Sequence, residues 1–192
     1  MTQPSSPFPL PILTLPSCLI RPYHPSDAPA LAQHANGLQI ARFMTNMFPS
    51  PYTLANAEFW INLATPATAG SPTLNFAICD PLTNTVCGGI GLKPRTDVEA
   101  RTMEVGYWLG EAYWGRGIMT DAVVGFVKWV FGNWSEEELV RLEAGVFEGN
   151  GASAKVLTKA GFVSEGCRRK AGYKAGRAFD ISVFGLLRED LK

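Results

Sequence analysis

The sequence predicts a mixed α/β domain in which a mostly antiparallel central sheet is flanked by helices. Three observations carry this reading. Apolar residues make up 46% of the 192 positions, enough to bury a sizeable core. Alternating segments of strand type are interspersed with segments of helical period. Their order is a strand, helices, three antiparallel-style strands, a helix, a strand, a helix and two strands. The segments are bounded by proline and glycine rather than by long polar linkers, so residues 17–192 read as one domain. Residues 1–16, "MTQPSSPFPLPILTLP", read as a proline-rich extended lead-in.

Each element has a local cause. "SCLIRPY" (17–23) alternates and ends at proline, which gives a first strand. "SDAPALAQHAN" (26–36) is a helix with Ser26 as its expected cap and Pro29 near its first turn. A short helix is expected over 37–44, and the two prolines of "FPSPYT" make 48–53 a loop. Thr53 then caps "LANAEFWINLA", with Phe59, Trp60 and Leu63 expected to pack inward. "TLNFAICD" (73–80) and "NTVCGGIGLKP" (84–94) form a hairpin, and Gly88 and Gly89 mark a bulge or a close backbone approach. "TMEVGYWLG" (102–110) is a strand. Met103, Val105, Tyr107 and Leu109 point one way, and Glu104, Gly106 and Trp108 the other. The helix expected over 115–131 is apolar except for a narrow stripe at Asp121, Gly125 and Lys128, so it is buried on most sides. "ELVRLEAGVFE" (138–148) is a strand, and "GASAKVLTKA" (151–160) a helix closed by Gly161. "GFVSEGCRR" and "FDISVFGLLRE" are the last two strands, joined by a basic turn over 168–177.

Composition removes several function classes. Seventeen basic residues balance seventeen acidic ones, which argues against a nonspecific nucleic-acid binder. Cys18, Cys79, Cys87 and Cys167 form no CxxC pair and lie mostly far from His24 and His34, so neither a metal site nor a disulfide framework is expected. No apolar run approaches the ~20 residues needed to cross a bilayer, and no basic residue precedes the apolar part of the N-terminus. A cytoplasmic protein, monomer or homodimer, is the expectation.

The most informative stretch is "AYWGRGIMTDAVVGF" (112–126). A helix N-terminus offers amides without internal partners and a positive partial charge, and together these hold phosphate oxygens. Gly115 and Gly117 would let an anion approach the backbone, and Arg116 adds a charge-assisted bond. The spacing is neither a Walker loop nor the dinucleotide fingerprint, since Thr120 stands where the third glycine would be. The motif alone also fits a plain loop, or a phosphate-binding α/β protein of another kind.

Three segments together are more specific: "MEVGYWLGEAYWGRGIMTDAV", "VFEGNGASAKVLTKAGFVSEG" and "FDISVFGLLRE". They resemble the GCN5-related N-acetyltransferases (GNAT superfamily) of the ribosomal-protein-acetyltransferase type. The likeness extends more loosely to "LIRPYHPSDAPALAQHAN" and "PYTLANAEFWI", and covers about residues 17 to 190. The resemblance implies the acyl-CoA N-acyltransferase fold with splayed central strands, and acetyl-CoA as co-substrate with no metal. It implies that Gly115, Arg116, Gly117, Ile118, Met119 and Thr120 wrap the pyrophosphate. Trp108 and Leu109 would pair with the pantetheine arm, and Asn150 would reach the cofactor. Two positions depart from the family pattern. Ala112 replaces a common Gln or Arg, and Leu157 stands where many members place a tyrosine general acid.

The implied chemistry is direct acetyl transfer, in a ternary complex, to a primary amine of a small molecule or of a protein N-terminus. A lysine-like amine of pKa about 10.4 is almost wholly protonated at pH 7, whereas an α-amine near 8 is roughly a tenth free. Glu104, a carboxylate inside an apolar strand, is the expected base, acting through water. A charged residue facing solvent is its rival reading. Glu148 is a second carboxylate. Ser153 falls where a hydroxyl can serve the departing thiolate, whose intrinsic pKa is near 8.5. Asn150 fits a helix cap, a cofactor contact, or both. Acceptor contacts are expected from Phe43, Trp60 and Asp180, with Phe48 and Tyr52 nearby; a hydrogen-bonded structural aspartate is the rival reading of Asp180. Arg168, Arg169, Lys170, Lys174 and Arg177 would draw an acidic acceptor. The missing tyrosine keeps a second reading open: a non-catalytic CoA-binding or sensing module on the same fold.

Overall fold

A computed structural model describes residues 8–66 and 72–191. Eight strands form one sheet: β1 (Leu13–Thr14), β2 (Leu19–Pro22), β3 (Asn75–Cys79), β4 (Val86–Pro94), β5 (Thr102–Leu109), β6 (Arg141–Phe147), β7 (Val163–Lys174) and β8 (Arg177–Leu187). Their spatial order is β1-β2-β3-β4-β5-β6-β8-β7. Every neighbouring pair is antiparallel except β5 and β6, which are parallel. The helices are α1 (Ala28–Ala35), α2 (Leu38–Ala41), α3 (Leu54–Ala64), α4 (Ile118–Asn133) and α5 (Gly151–Lys159). No described helix is long and apolar enough to cross a membrane.

Alternation along the strands sends side chains to two separate cores. Ile20, Phe76, Ile78, Val105 and Leu109 pack against α4, whose Val123, Phe126 and Val127 are buried as its apolar composition predicts. Ala77 and Cys79 pack with Tyr23 against α1 and α3. The second face also holds a buried ion pair. Arg21, fully buried, donates to both Asp27 carboxylate oxygens at 2.8 Å. Its remaining bonds go to Asn84 Oδ1 (2.8 Å), the Asn84 carbonyl (3.1 Å) and the Pro22 carbonyl (3.0 Å). A guanidinium is tolerated there because each of its nitrogens is satisfied.

Several local expectations are corrected. Residues 1–7 of the proline-rich segment lie outside the described residues, while Leu13 and Thr14 join the sheet opposite Ile20 and Leu19. The turn before α1 is capped not by Ser26 but by the His24 ring, and Asp27 accepts from the His24 amide at 2.8 Å. Phe59 and Leu63 face solvent at 68% and 62% exposure; the inward row is Ala57, Ile61 and Ala64. That small-residue row lets α3 lie close to α1, and bulk misled the pattern reading. α4 begins at Ile118 rather than 115. The expected basic turn shrinks to Ala175 and Gly176, because residues 168–174 continue β7 through a bulge between Arg168 and Gly172.

Gly88 and Gly89 are close-approach positions. A Cβ on Gly88 would lie 2.6 Å from the Trp108 carbonyl oxygen, and one on Gly89 2.5 Å from Tyr23 Oη. Both glycines therefore let β4 lie flat against its neighbours beneath the end of β5.

Candidate functional site

The parallel pair β5–β6 is joined only at Thr102–Glu104 with Arg141–Glu143. β5 nonetheless continues along β4 to Leu109, and β6 along β8 to Phe147. Each half of the sheet stays intact while the two part in a V. Beyond Glu104 the edge of β5 that faces β6 has no strand partner among the described residues, which leaves main-chain groups other than the Leu109 carbonyl open to an extended ligand. The gap opens into a cavity of about 520 Å³. Tyr107, Trp108 and Leu109 form one wall, and Gly149, Asn150 and Ser153 the other. The glycine turn closes one end, and Phe43 of the segment after α2 stands at the cavity too.

The backbone dihedrals give the glycine turn a further physical reason. Gly115 and Gly117 have φ of 73° and 78°, and a Cβ on either would meet nothing within 4 Å. Glycine is needed there for the left-handed backbone, and no protein side chain crowds either position. The turn delivers the chain into α4 with Gly117 as an N-cap that has no side-chain hydrogen bond. The first bond into the helix is from the Asp121 amide to the Gly117 carbonyl, at 3.1 Å. The amides of Ile118, Met119 and Thr120 precede it, and all three residues line the cavity. Arg116 does not line it; its guanidinium lies 5.4 Å from the Tyr113 ring centre. The loop is pinned by Trp114, whose indole N–H donates to the Leu109 carbonyl at 2.7 Å. Sequence reasoning passed over Tyr113 and Trp114, although two aromatics directly before a GxG turn were visible in "EAYWGRG".

Across the V, Asn150 Oδ1 accepts from the Ser153 amide at 3.2 Å, so it caps α5 while also lining the cavity. Ser153 Oγ lies 2.9 Å from Tyr107 Oη. This pair bridges the two separated halves of the site, and the Tyr107 side chain, like Tyr113 and Trp114, was given no role in the site by the sequence. Burial pushes the Tyr107 phenol up to about 12, partly offset by the Ser153 bond, so it stays protonated at neutral pH. Leu157, where a tyrosine acid would sit, is fully buried in the core.

Glu104 lies outside the cavity lining. Its carboxylate pairs with Arg95 at 3.0 Å, and Arg95 also holds Glu143 at 2.6 Å, which ties the closed vertex of the V. By alternation Glu104 shares a face of β5 with Gly106 and Trp108. Gly106 is exposed, and nothing lies within 4 Å of where its Cβ would be. The carboxylate therefore borders an open floor leading to Trp108. Of Phe43, Trp60 and Asp180, Phe43 alone lines either of the two cavities found among the described residues, while Lys174 and Arg177 of the expected basic turn line the second. Trp60 packs half-buried against the cluster of Tyr23 and Tyr52. Asp180 turns toward β7, where it accepts from the Lys170 amide at 2.7 Å. Glu148 is paired with Arg177 at 2.9 Å.

Comparison with known proteins converges on one family. Residues 18–163 match the family described as acetyltransferase (GNAT) domain. The uncharacterized N-acetyltransferase p20 of Bacillus licheniformis is 28% identical over 165 residues, spanning 85% of this chain and 89% of that protein. YjcK of Bacillus subtilis, named as a probable N-acetyltransferase, is 42% identical over 90 residues, 47% of this chain and 48% of its own length. Among solved structures, a ribosomal-protein-S5-alanine acetyltransferase from Vibrio fischeri is 25% identical with a TM-score of 0.78, covering 94% of this chain and 98% of that one.

Proposed function

This chain belongs to the acetyltransferase (GNAT) family, and on that premise we propose that it moves an acetyl group from acetyl-CoA to a primary amine by direct transfer within a ternary complex. The amine belongs to a small molecule or to a protein N-terminus. The observation that carries this reading is the V between β5 and β6, with uncapped amides at one end and the Tyr107–Ser153 pair across it. A diphosphate suits the turn because residues 118–120 line the cavity at the start of α4, where the helix has no side-chain cap and its dipole is positive. The pantetheine arm would run along the unpaired edge of β5 at Trp108 and Leu109, with Asn150 opposite. Acetyl-CoA supplies the activated thioester.

The chain's own residues do the rest. The amine must lose a proton before or during attack, and Glu104 accepts it through water across the open floor above Gly106. Main-chain amides along the free edge of β5 face the negative charge that develops on the acyl oxygen. Tyr107, kept as the phenol, holds Ser153 by its Oγ (2.9 Å) and its carbonyl (3.3 Å), and the Ser153 hydroxyl is placed to donate a hydrogen bond to the departing thiolate, which takes its proton from solvent. The Tyr107–Ser153 pair takes the place of the absent tyrosine as a hydrogen-bond donor, so that absence no longer favours a merely CoA-binding module.

The test is thiol release from acetyl-CoA against panels of primary amines and of peptides. Turnover with either panel, lowered by Ser153→Ala and by Glu104→Gln, is the expected result. Failure of CoA itself to bind, or binding unaffected by a bulky residue at Gly117, overturns the reading.

A further inference from the structure

A second cavity, about 380 Å³, adjoins the first and shares Phe43 and Gly149 with it. It lies between the segment after α2, the end of β6 and the tip of the β7–β8 hairpin. Resting on the acetyl-transfer reading above, we propose that it takes a zwitterionic, amino-acid-like acceptor: a primary amine next to a carboxylate, with an aromatic or bulky apolar side chain.

The apolar part is recognised by Phe43, Phe147 and Phe179. The Phe147 and Phe179 rings lie 4.8 Å apart and tilted by 49°. Phe179 packs over Gly172, where a Cβ would come within 2.2 Å of the ring's Cζ. The tip of the hairpin is fixed to the α2 segment. Lys174 Nζ donates to the carbonyls of Ala41 (2.6 Å) and Met44 (2.5 Å), and Asn46 donates to the Tyr173 carbonyl at 3.1 Å. The aromatic pocket is therefore walled by latched elements rather than by a free loop.

The charge comes from Arg42. Three cations line this cavity, but two are already engaged: Lys174 with carbonyl oxygens and Arg177 with Glu148. Arg42 has no carboxylate partner among the described residues, and its guanidinium lies 5.1 Å from the Phe43 ring centre. It also stands at the junction of the cavities, since its Nη2 is the atom that a Cβ on Gly149 would meet, at 3.9 Å. A planar guanidinium in this position suits bidentate binding of a carboxylate. With the carboxylate on Arg42 and the side chain among the phenylalanines, the α-amine is directed toward the V. A peptide N-terminus carries a neutral amide in place of that carboxylate and leaves Arg42 unmatched.

The experiment compares phenylalanine, phenylalanine amide and phenethylamine with the wild type and Arg42→Gln. Two readouts are used: kcat/KM with acetyl-CoA, and calorimetric binding to the CoA-loaded protein. The expected result is binding of the free acid about tenfold or more tighter than the amide or the amine. That preference should vanish in Arg42→Gln and return in part in Arg42→Lys. Taking the ratio of variant to wild type cancels the different basicity of the three amines. If the acid binds with that dependence on Arg42 yet no acetyl transfer occurs, the acceptor site stands and the transfer reading fails. If the three compounds bind alike or none binds, or if peptides turn over better than the acid with Arg42→Gln unchanged, the proposal is overturned.

Discussion

The two faces of the sheet are built on different principles. The face covered by α4 and α5 is largely apolar, with Phe76, Phe126 and Trp129 in mutual ring contact, and its candidate functional groups are main-chain amides at a glycine turn together with the Tyr107–Ser153 pair. The face covered by α1 and α3 carries charges. Arg21 and Asp27 are buried in it, and Glu104, Glu143 and Arg95 tie the vertex. Arg42 stands beside the adjoining cavity. The difference teaches how each half recognises a ligand. A backbone-based site demands a particular chain conformation, whereas a side-chain site depends on which residues distant segments bring together.

The largest expected effect tests the charged face. Arg21→Met leaves Asp27 buried without its partner and should lower folding stability by about 3–5 kcal/mol, read from the urea midpoint at constant slope. Arg21→Met with Asp27→Leu should recover part of that loss, because neither charge then remains unpaired. A double variant as unstable as the single one would mean that Asn84 and the turn at Pro25–Asp27, rather than the ion pair, hold α1 in place.

The next effect tests the other face. Gly117→Val forces a branched side chain onto a backbone with φ of 78°, at roughly 1–2 kcal/mol. Since no atom crowds the position, the fold should survive while CoA affinity falls about tenfold, as measured by calorimetry. Equal CoA affinity would separate the amides of α4 from diphosphate binding. A smaller loss is expected across the V. Tyr107→Phe removes one neutral hydrogen bond, worth about 1 kcal/mol, and should cut kcat roughly fivefold with KM for acetyl-CoA unchanged. Ser153→Ala should cost at least as much, and a Tyr107→Phe effect exceeding that of Ser153→Ala would reverse the donor order drawn for the pair.

These two faces were not equally readable from the residues. The order of elements along the chain, the buried α4 and the glycine turn were legible because periodicity and turn residues act locally. The left-handed backbone at Gly115 and Gly117, by contrast, is visible only in the dihedrals. Tyr107 was placed on the correct side of β5 but not beside Ser153, since that pairing joins positions 46 residues apart. The Arg21–Asp27–Asn84 cluster left no trace in local pattern. Arg21 looked like the end of a strand, and Asn84 lies 63 residues away. Phe59 and Leu63 were assigned inward by bulk, whereas the close packing of α3 on α1 selected alanines. Asp180 reads as a pocket residue until the bulge near Lys170 supplies it with a backbone donor.

The smallest effect addresses the point where the two faces meet. His34 of α1 packs edge-on against Tyr113, 5.2 Å between ring centres, in the loop that leads to the glycine turn. Gly110 admits this contact, since a Cβ there would lie 3.1 Å from that of His34. Desolvation lowers the His34 pKa below its ordinary 6.5, so the folded state takes up its proton less readily than the unfolded chain. The sign follows. As pH falls through about 6.5 the unfolded state is protonated first, and stability declines until the folded pKa is passed. His34→Leu should therefore melt with a weaker dependence on pH between about 7.5 and 5.5 than the wild type, the carboxylates contributing alike to both. CoA affinity, followed over the same range, should also fall less in the variant, because the coenzyme's own phosphates titrate identically in the two comparisons. If melting changes as expected but CoA affinity does not, α1 supports the turn without coupling to it, and the two faces bind their ligands independently.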